Sequence, residues 1–345
     1  MLLAFSYGRI KPFFQLKLQE EKMDIHYHLL INQAAGSGNG KKTAEKIIKL
    51  LEEKKLVFTA HYSEYAGHDA EIAEQLVPSL LPWPEDKEEL TEQNEFPLVV
   101  VIGGDGTLHQ VLNAFHYLGK EFPIGYIPAG SGNDFARGIG LPRTAELALD
   151  RLLATTEPKM INLLTFEEKI SETSGILVNN FGIGLDAAVV HATNHSASKE
   201  RLNKYNLGSF AYIFSIARVL FTQKGFPLLA DVGGKQLAFS KAFLCTVTNH
   251  PYFGGGVAIA PTAEIAKPNM DFILIERINF FKILWIIGLL LRKKHLKSKH
   301  VHHFTTSKLR LTTTLPQYGQ ADGEDLDSQS FDLQFGTKKQ PFWFL

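Results

Sequence analysis

The stretch that most constrains this chain is Leu98–Asn113, LVVVIGGDGTLHQVLN. Pro97 opens it, and five apolar, mostly β-branched residues, Leu98 to Ile102, follow without a polar break. Such a run reads as a short strand buried on both faces of a parallel sheet. Gly103, Gly104 and Gly106 then turn the chain, with Asp105 held between them. From Thr107 onward, Leu108, Val111, Leu112 and Phe115 fall at helical spacing, so a helix starts there. Strand, glycine turn and helix N-terminus together present backbone N–H groups to an anion. The glycines let the main chain approach that anion closely. The plainer alternative is an ordinary βα turn in a doubly wound sheet.

This is not the common phosphate loop. A Walker A element needs G-x-x-x-x-G-K-[ST], and no window of the chain has it. The nearest, Ala35 to Lys42, has Ala where the first Gly belongs and Lys where Ser or Thr belongs. GGDGT followed by a helix instead resembles the superfamily of diacylglycerol, sphingosine and NAD kinases and phosphofructokinases. That resemblance implies an acidic loop, rather than a P-loop lysine, meeting a triphosphate and its Mg²⁺.

At 345 residues the chain is long enough for two domains with their own cores. Lys+Arg and Asp+Glu balance at 36 each, so overall charge gives no sign of a nucleic-acid partner, and any attraction to membrane or nucleotide rests on local patches. The single cysteine, Cys245, has no internal disulfide partner, which fits a reducing cytoplasm. Residues 1–23 contain short apolar stretches but no continuous signal-peptide core and no small-residue cleavage site. They read as an extension outside the fold, with Met23 as the true start. The alternative is a short membrane-touching helix.

His26–Asn32 reads as the first strand, leading through the turn Gln33–Gly40 into an amphipathic helix over Lys41–Glu53. Val57–Tyr62 is a second strand and Asp69–Val77 a second helix. Pro78–Phe96 holds three prolines and six acidic residues and reads as a surface loop. Phe122–Ile127 is another buried strand, followed by a second glycine loop, Pro128 to Arg137, at the position where open α/β sheets bind ligands. Residues 24–155 therefore read as a parallel-sheet α/β domain covered by helices.

Residues 156–324 read as a second, mostly antiparallel β-sandwich domain, and about 325–345 as a segment able to return to the first. Its strand-like runs are Met160–Phe166, Ser174–Phe181, Leu228–Val232, Gln236–Val247, Met270–Arg277, Lys308–Thr314 and Phe331–Phe335. Leu207–Thr222 and Phe280–Lys297 read as its helices.

Asn32–Gly40, Gly103–Asn113, Pro128–Arg137, Asn179–Asp186 and Ala321–Glu324 occur in that order. The set resembles the bacterial diacylglycerol kinase / YegS-like lipid kinase family, relatives of sphingosine and ceramide kinases, from about residue 24 to 340. PAGSGNDFAR and the late DGE carry the distinction from NAD kinases. The resemblance implies that Asn32, Gln33, Ala34, Ala35, Gly36 and Ser63 contact ATP. Gly103, Gly104, Asp105, Gly106, Thr107, Leu108, His109 and Gln110 would cradle its phosphates. Gly130, Ser131, Asn133 and Asp134 of the second loop would bind it too. Glu324 matches the family's proton acceptor, and Asp105 is placed to hold Mg²⁺, directly or through water. Asp322 is a second candidate for the base or for a metal-side carboxylate, the plain alternative being a solvated acidic turn.

The chemistry agrees, because phosphoryl transfer needs Mg²⁺ bridging the phosphates and a carboxylate near the attacking hydroxyl. Where family members carry an Asp-Gly for a second, structural Mg²⁺, this chain has Lys267-Pro268, and a lysine does not ligate Mg²⁺. Gly182-x-Gly184-x-x-Ala187 reads as a structural turn. His191 and His195 read as a polar helix face without a third metal ligand. His300, His302 and His303 read as surface.

The expectation is a cytoplasmic, ATP- and Mg²⁺-dependent lipid kinase of phospholipid metabolism, peripheral to the inner face of the membrane. Its substrate would be diacylglycerol or a related lipid, with a homodimer left open. The alternatives are a soluble NAD kinase-like enzyme and a non-catalytic lipid- or nucleotide-binding regulator. The apolar segment Ile278–Leu291 is too short to span a bilayer. Arg292, Lys293, Lys294, Lys297 and Lys299 follow it, and the pair suits docking on anionic lipid.

Overall fold

A computed structural model describes residues 23–84, 95–194 and 218–344. Residues 1–22 of the expected extension, most of the acidic part of the loop before Phe96, most of the helix read at Leu207–Thr222, and His195 lie outside the described residues. Four parallel strands run in the order β2 (Phe58–Ser63), β1 (Ile25–Asn32), β3 (Phe96–Gly103), β4 (Ile124–Pro128). Their apolar runs are continuous because helices cover both faces: Leu98 to Ile102 are each at most 1% exposed. On one face lie α1 (Ala35–Glu53) and α5 (Ala145–Ala154), packed through Ala44, Ile47, Leu51, Ala148, Leu149 and Leu152. On the other lie α2 (His68–Leu76) and α3 (Asp105–Tyr117), packed through Ile72, Ala73, Leu108, Val111 and Phe115.

The chain then builds antiparallel strands: β5 (Lys159–Glu168), β6 (Thr173–Leu177), β7 (Asn180–Gly184), β8 (Phe226–Val232) and β9 (Lys235–Thr248). After the short pair β10 (Tyr252–Phe253) and β11 (Val257–Ala258) come β12 (Met270–Glu276), β13 (Val301–Thr306) and β14 (Leu309–Thr313). The hairpin β15 (Gln317–Ala321) and β16 (Glu324–Gln329) precedes the last strand, β17 (Asp332–Phe342). Phe181, Phe226, Phe272, Phe331, Phe335 and aliphatic side chains alternating along these strands fill the second core.

β17 joins the two layers. It pairs antiparallel with β5 over its whole length and with β14, and at Phe342 it pairs parallel with β4. Trp343, just beyond it, is buried against Phe96 and Trp83, and its indole N–H donates to the Leu152 carbonyl at 3.1 Å. The fold is thus a parallel α/β sheet followed by an antiparallel β-sandwich, as the pattern of elements predicts.

Three local readings need correction. Ser174–Phe181 is not one strand but β6 and β7, separated at Val178 and Asn179, where the backbone amides turn toward Asp322. The segment holding His302 and His303 is a strand, β13, rather than open surface. Its imidazoles bond Glu276 at 2.9 Å and the buried Asp271 at 2.5 Å. The helix read as Phe280–Lys297 ends at Leu291 as α7 (Phe280–Leu291), capped by the Asn279 side chain accepting from the Lys282 N–H, and a single 3₁₀ turn follows at His295–Lys297.

Candidate active site

Three glycine-bearing loops meet at the C-terminal ends of the parallel strands. In the first, Gly36, Ser37 and Gly38 are all left-handed, with φ of 58°, 56° and 91°, before α1 becomes regular. A Cβ on Gly36 would lie 2.4 Å from the Ala129 carbonyl oxygen. A Cβ on Gly130 would lie 2.6 Å from Cα of Gly104. Side chains are therefore excluded where the loops touch. Asn39 donates to the Ala129 carbonyl at 3.1 Å. Asn133 locks the second loop by bonding both the N–H and the C=O of Gly130 at 2.9 Å, leaving Ser131 exposed at the tip.

Asn32 ties the loops to the helices. Its side-chain oxygen accepts from the N–H groups of Ala34 and Ala35, both at 3.1 Å. Its amide donates to Asp69 at 2.9 Å and to the Thr107 hydroxyl at 3.0 Å. Ser63, at the end of β2, donates to the Ile31 carbonyl at 3.4 Å. Gln33, Gly106 and Gln110 stand on the same rim, Gly106 exposed and the Gln110 side-chain oxygen buried without a protein partner. Leu108 is fully buried, so it contributes backbone alone.

Asp105 opens α3. Its carboxylate accepts from the Asp134 N–H at 2.8 Å and from the Tyr126 hydroxyl at 3.3 Å. Burial, then the neighbouring charges of Asp134 and Asp322, push its carboxyl up to about 6. Asp134, at the start of α4 (Asp134–Gly138), is paired with Arg137 and accepts from the Gly255 N–H at 2.7 Å. Asp69, which sequence reasoning placed only as a helix residue, is 3% exposed, and one of its oxygens has no protein partner. Its signal was an acid in the first turn of a helix following a parallel strand.

The late DGE sits on the β15–β16 turn. Asp322 and Gly323 have φ of 51° and 89°, as a two-residue type I′ hairpin requires. The Asp322 side chain is fully buried rather than solvated. It accepts from the N–H groups of Val178, Asn179 and Asn180 at 2.7, 2.8 and 2.9 Å, and from His109 Nδ1 at 2.7 Å. Four donors surround its carboxylate, which clamps the hairpin to the strand break and leaves it less free than Glu324 for a role as base or metal-side carboxylate. His109 is likewise turned from the phosphate rim toward this hairpin. Glu324, by contrast, is half exposed, 3.8 Å from His109 Nε2.

Beside these acids opens a cavity of about 450 Å³. Its far walls are aliphatic and aromatic: Leu185, Val189, Leu220, Phe243, Ile283 and Ile286. Its near end holds Asp105, Asp134, Asp322 and Asp186. Asp186 begins α6 (Leu185–Asn194) and folds back over Gly182, where a Cβ would lie 1.9 Å from its oxygen. Gly182 is therefore a strand residue kept bare for the Asp186 carboxylate rather than the turn residue the sequence suggests. Burial pushes the Asp186 carboxyl up to about 7, partly offset by a hydrogen bond from Gln320 at 3.2 Å. Farther out on α6, His191 bonds Asp325 at 2.7 Å and lies 3.7 Å from Asp327. The third ligand-type group that the sequence did not reveal comes from β16.

Glycine-bearing loops, a buried acid cluster and an apolar cavity thus stand side by side between the α/β layer and the β-sandwich. The diacylglycerol kinase catalytic domain matches residues 26–164, and the YegS C-terminal NAD kinase beta sandwich-like domain matches residues 179–335. The chain belongs to the diacylglycerol kinase / YegS-like lipid kinase family, whose phosphate donor is ATP. It is 27% identical over 314 residues to a Bacillus subtilis (strain 168) protein named "Putative lipid kinase YtlR", covering 89% of this chain and 96% of that protein. It is 23% identical over 297 residues to a diacylglycerol kinase of the same strain, covering 86% and 88%. A crystal structure of a diacylglycerol kinase from Bacillus anthracis str. Sterne shares the fold, with a TM-score of 0.62 at 15% identity, covering 94% of this chain and 97% of that one.

Proposed function

We propose that this chain transfers the γ-phosphoryl group of ATP to a hydroxyl of diacylglycerol or a related lipid. The observation that carries the reading is the apolar cavity ending at Asp105 and the DGE hairpin. It suits an acyl chain with its hydroxyl at the acidic end, whereas aliphatic walls offer a polar dinucleotide acceptor nothing to pair with. ATP phosphates would lie on the loops at Asn32–Gly36, Gly103–Gln110 and Gly130–Asn133, with the His109 side chain turned away toward the DGE hairpin. The Asp105 carboxylate, at the acidic end of the cavity, fits Mg²⁺, a hard cation that takes oxygen ligands. An ion held there would supply neutralisation of charge on the phosphate oxygens. Glu324, the exposed carboxylate of the hairpin, accepts the proton of the attacking hydroxyl.

The same reading places the enzyme at a membrane surface. α7 buries Ile283 and Ile286 against the cavity, while Phe281, Leu284, Trp285 and Leu291 stay exposed, Phe281 at 81% and Leu291 at 73%. Arg292, Lys293, Lys294, Lys297 and Lys299 are exposed directly behind them. No helix among the described residues is long and apolar enough to cross a membrane. The helix would instead lie in the interface, with the bilayer against its outer face and the lipid passing to its inner one.

Radiolabelled ATP offered with a panel of lipids and with NAD tests the substrate class. Label in the lipid phase is expected. Label in NADP, or in no acceptor, would overturn the reading.

A further inference from the structure

The buried imidazole of His109 touches both acids of the hairpin and lies off the phosphate rim. Its Nδ1 is bonded to an oxygen of Asp322 whose carboxylate is itself held by three successive backbone N–H groups. The ring therefore cannot rotate without losing its bond to that fixed carboxylate, so the direction of Nε2 is set by the fold. That nitrogen has the Asn113 amide 3.3 Å away, an amide that also donates to the His109 and Ile176 carbonyls, and its nearest carboxylate is Glu324 at 3.8 Å, inside ion-pair reach and just beyond a hydrogen bond. Glu324 is half exposed at the first position of β16, so its long side chain has rotamers to lose.

We propose that His109 is a positioning residue for Glu324: Asp322 fixes the imidazole through Nδ1, and Nε2 draws the Glu324 carboxylate in over the acceptor hydroxyl. The inference rests on Glu324 being the base. In the reaction the acceptor oxygen forms its bond to the γ-phosphorus as the bond to ADP breaks, and the acceptor proton passes to Glu324. His109 touches neither substrate and acts through Glu324. The charged groups acting on the ring are Asp322 and Glu324, and burial opposes them. The two carboxylates prevail, which raises its affinity for a proton and favours the imidazolium that would attract Glu324.

The test uses the full-length protein with Mg²⁺-ATP and mixed micelles of diacylglycerol. His109→Asn keeps a donor for Asp322 and removes the group that reaches Glu324. It should lower kcat by about tenfold to a hundredfold with KM for ATP changed by less than about twofold. The acid limb of its pH–rate profile should move to higher pH, because a positive charge beside the base is gone. His109→Gln, which reaches Glu324 without a charge, should recover part of kcat but not the limb. Wild-type kcat and an unmoved limb in His109→Asn, or a loss confined to KM for ATP or melting temperature, would overturn the proposal. Histidine NMR titration without substrate separates it from the lipid-kinase reading. Glu324→Gln should lower the His109 midpoint, and an unchanged midpoint would overturn the coupling. A lowered midpoint in a protein whose lipid turnover ignores Glu324→Gln would instead overturn Glu324 as the base.

Discussion

The division of labour among the acids is set by what each carboxylate already holds. Asp322 is surrounded by four donors, Asp105 has two and faces the cavity, and Glu324 stands half in solvent. Asp105→Asn should therefore cripple turnover with every acceptor, including slow hydrolysis by water, because it removes the phosphate-side carboxylate. Glu324→Gln should lower lipid phosphorylation by roughly a hundredfold or more, the scale of general-base loss, with ATP affinity nearly unchanged. Steady-state kinetics with calorimetric ATP titration checks both. Asp322→Asn presents an amide to some of the N–H groups its carboxylate accepted from. It should fail chiefly as a loss of stability, read as a lower melting temperature. A stable, inactive Asp322→Asn beside an active Glu324→Gln would return the base to Asp322.

Loops and helices make the site only where they touch. The contact between Gly104 and Gly130 leaves no room for a methyl group, which would meet the Gly104 backbone and the Asn133 side-chain oxygen that locks the loop. Gly130→Ala should push the two loops apart and weaken ATP binding by about tenfold or more while the β-sandwich stays folded, because the loop N–H groups lose their common focus. Equilibrium ATP binding alongside circular dichroism reads this, and unchanged affinity would show that the loops are not held as a pair. α7 is the second element whose two faces have separate partners. Reversing charge at Lys293, Lys294 and Lys297 should reduce binding to anionic vesicles and leave activity toward lipid in detergent micelles intact, since these side chains are exposed and away from the cavity. Vesicle binding that ignores the reversal would remove the docking role.

At the scale of the whole molecule, stability should depend on pH through groups that pull in opposite directions. Burial lowers His250 to about 4. Its Nε2 lies 3.1 Å from the Val178 carbonyl, and its Nδ1 accepts from the Tyr252 N–H, so the fold holds the neutral ring. The unfolded chain therefore binds this proton first as pH falls from about 6.5 toward 4, and that stabilisation is lost over the same range. Asp186 behaves oppositely. Raised to about 7, it is protonated in the fold before the unfolded chain, so folding gains as pH falls through 7 and carries a buried charge above it. Thermal melts at pH 5 and pH 8 separate the two. His250→Gln should show a smaller acid-side loss than wild type, and Asp186→Asn should melt higher than wild type at pH 8, by a margin that narrows at pH 5 as the folded-state carboxyl takes up its proton. Equal pH profiles in all three proteins would refute both assignments.

The periodicities belong to the sequence alone. Residues 98–102 read as a buried strand because nothing polar interrupts them, and GGDGT and PAGSGND read as loops because glycine, asparagine and aspartate admit the conformations that side chains forbid. Those signals, in order, carried the family and the two-layer fold. What the chain could not announce was which distant groups would share one proton or one carboxylate. Asp322 looks like a solvated acid until three amides from residues 178–180 and an imidazole 213 positions earlier close on it. Asp69 and Asp186 look like ordinary first-turn acids until burial leaves each with an oxygen that no described group satisfies. Hydrogen-bond satisfaction and desolvation are properties of a surrounded atom, and only tertiary packing decides what surrounds it.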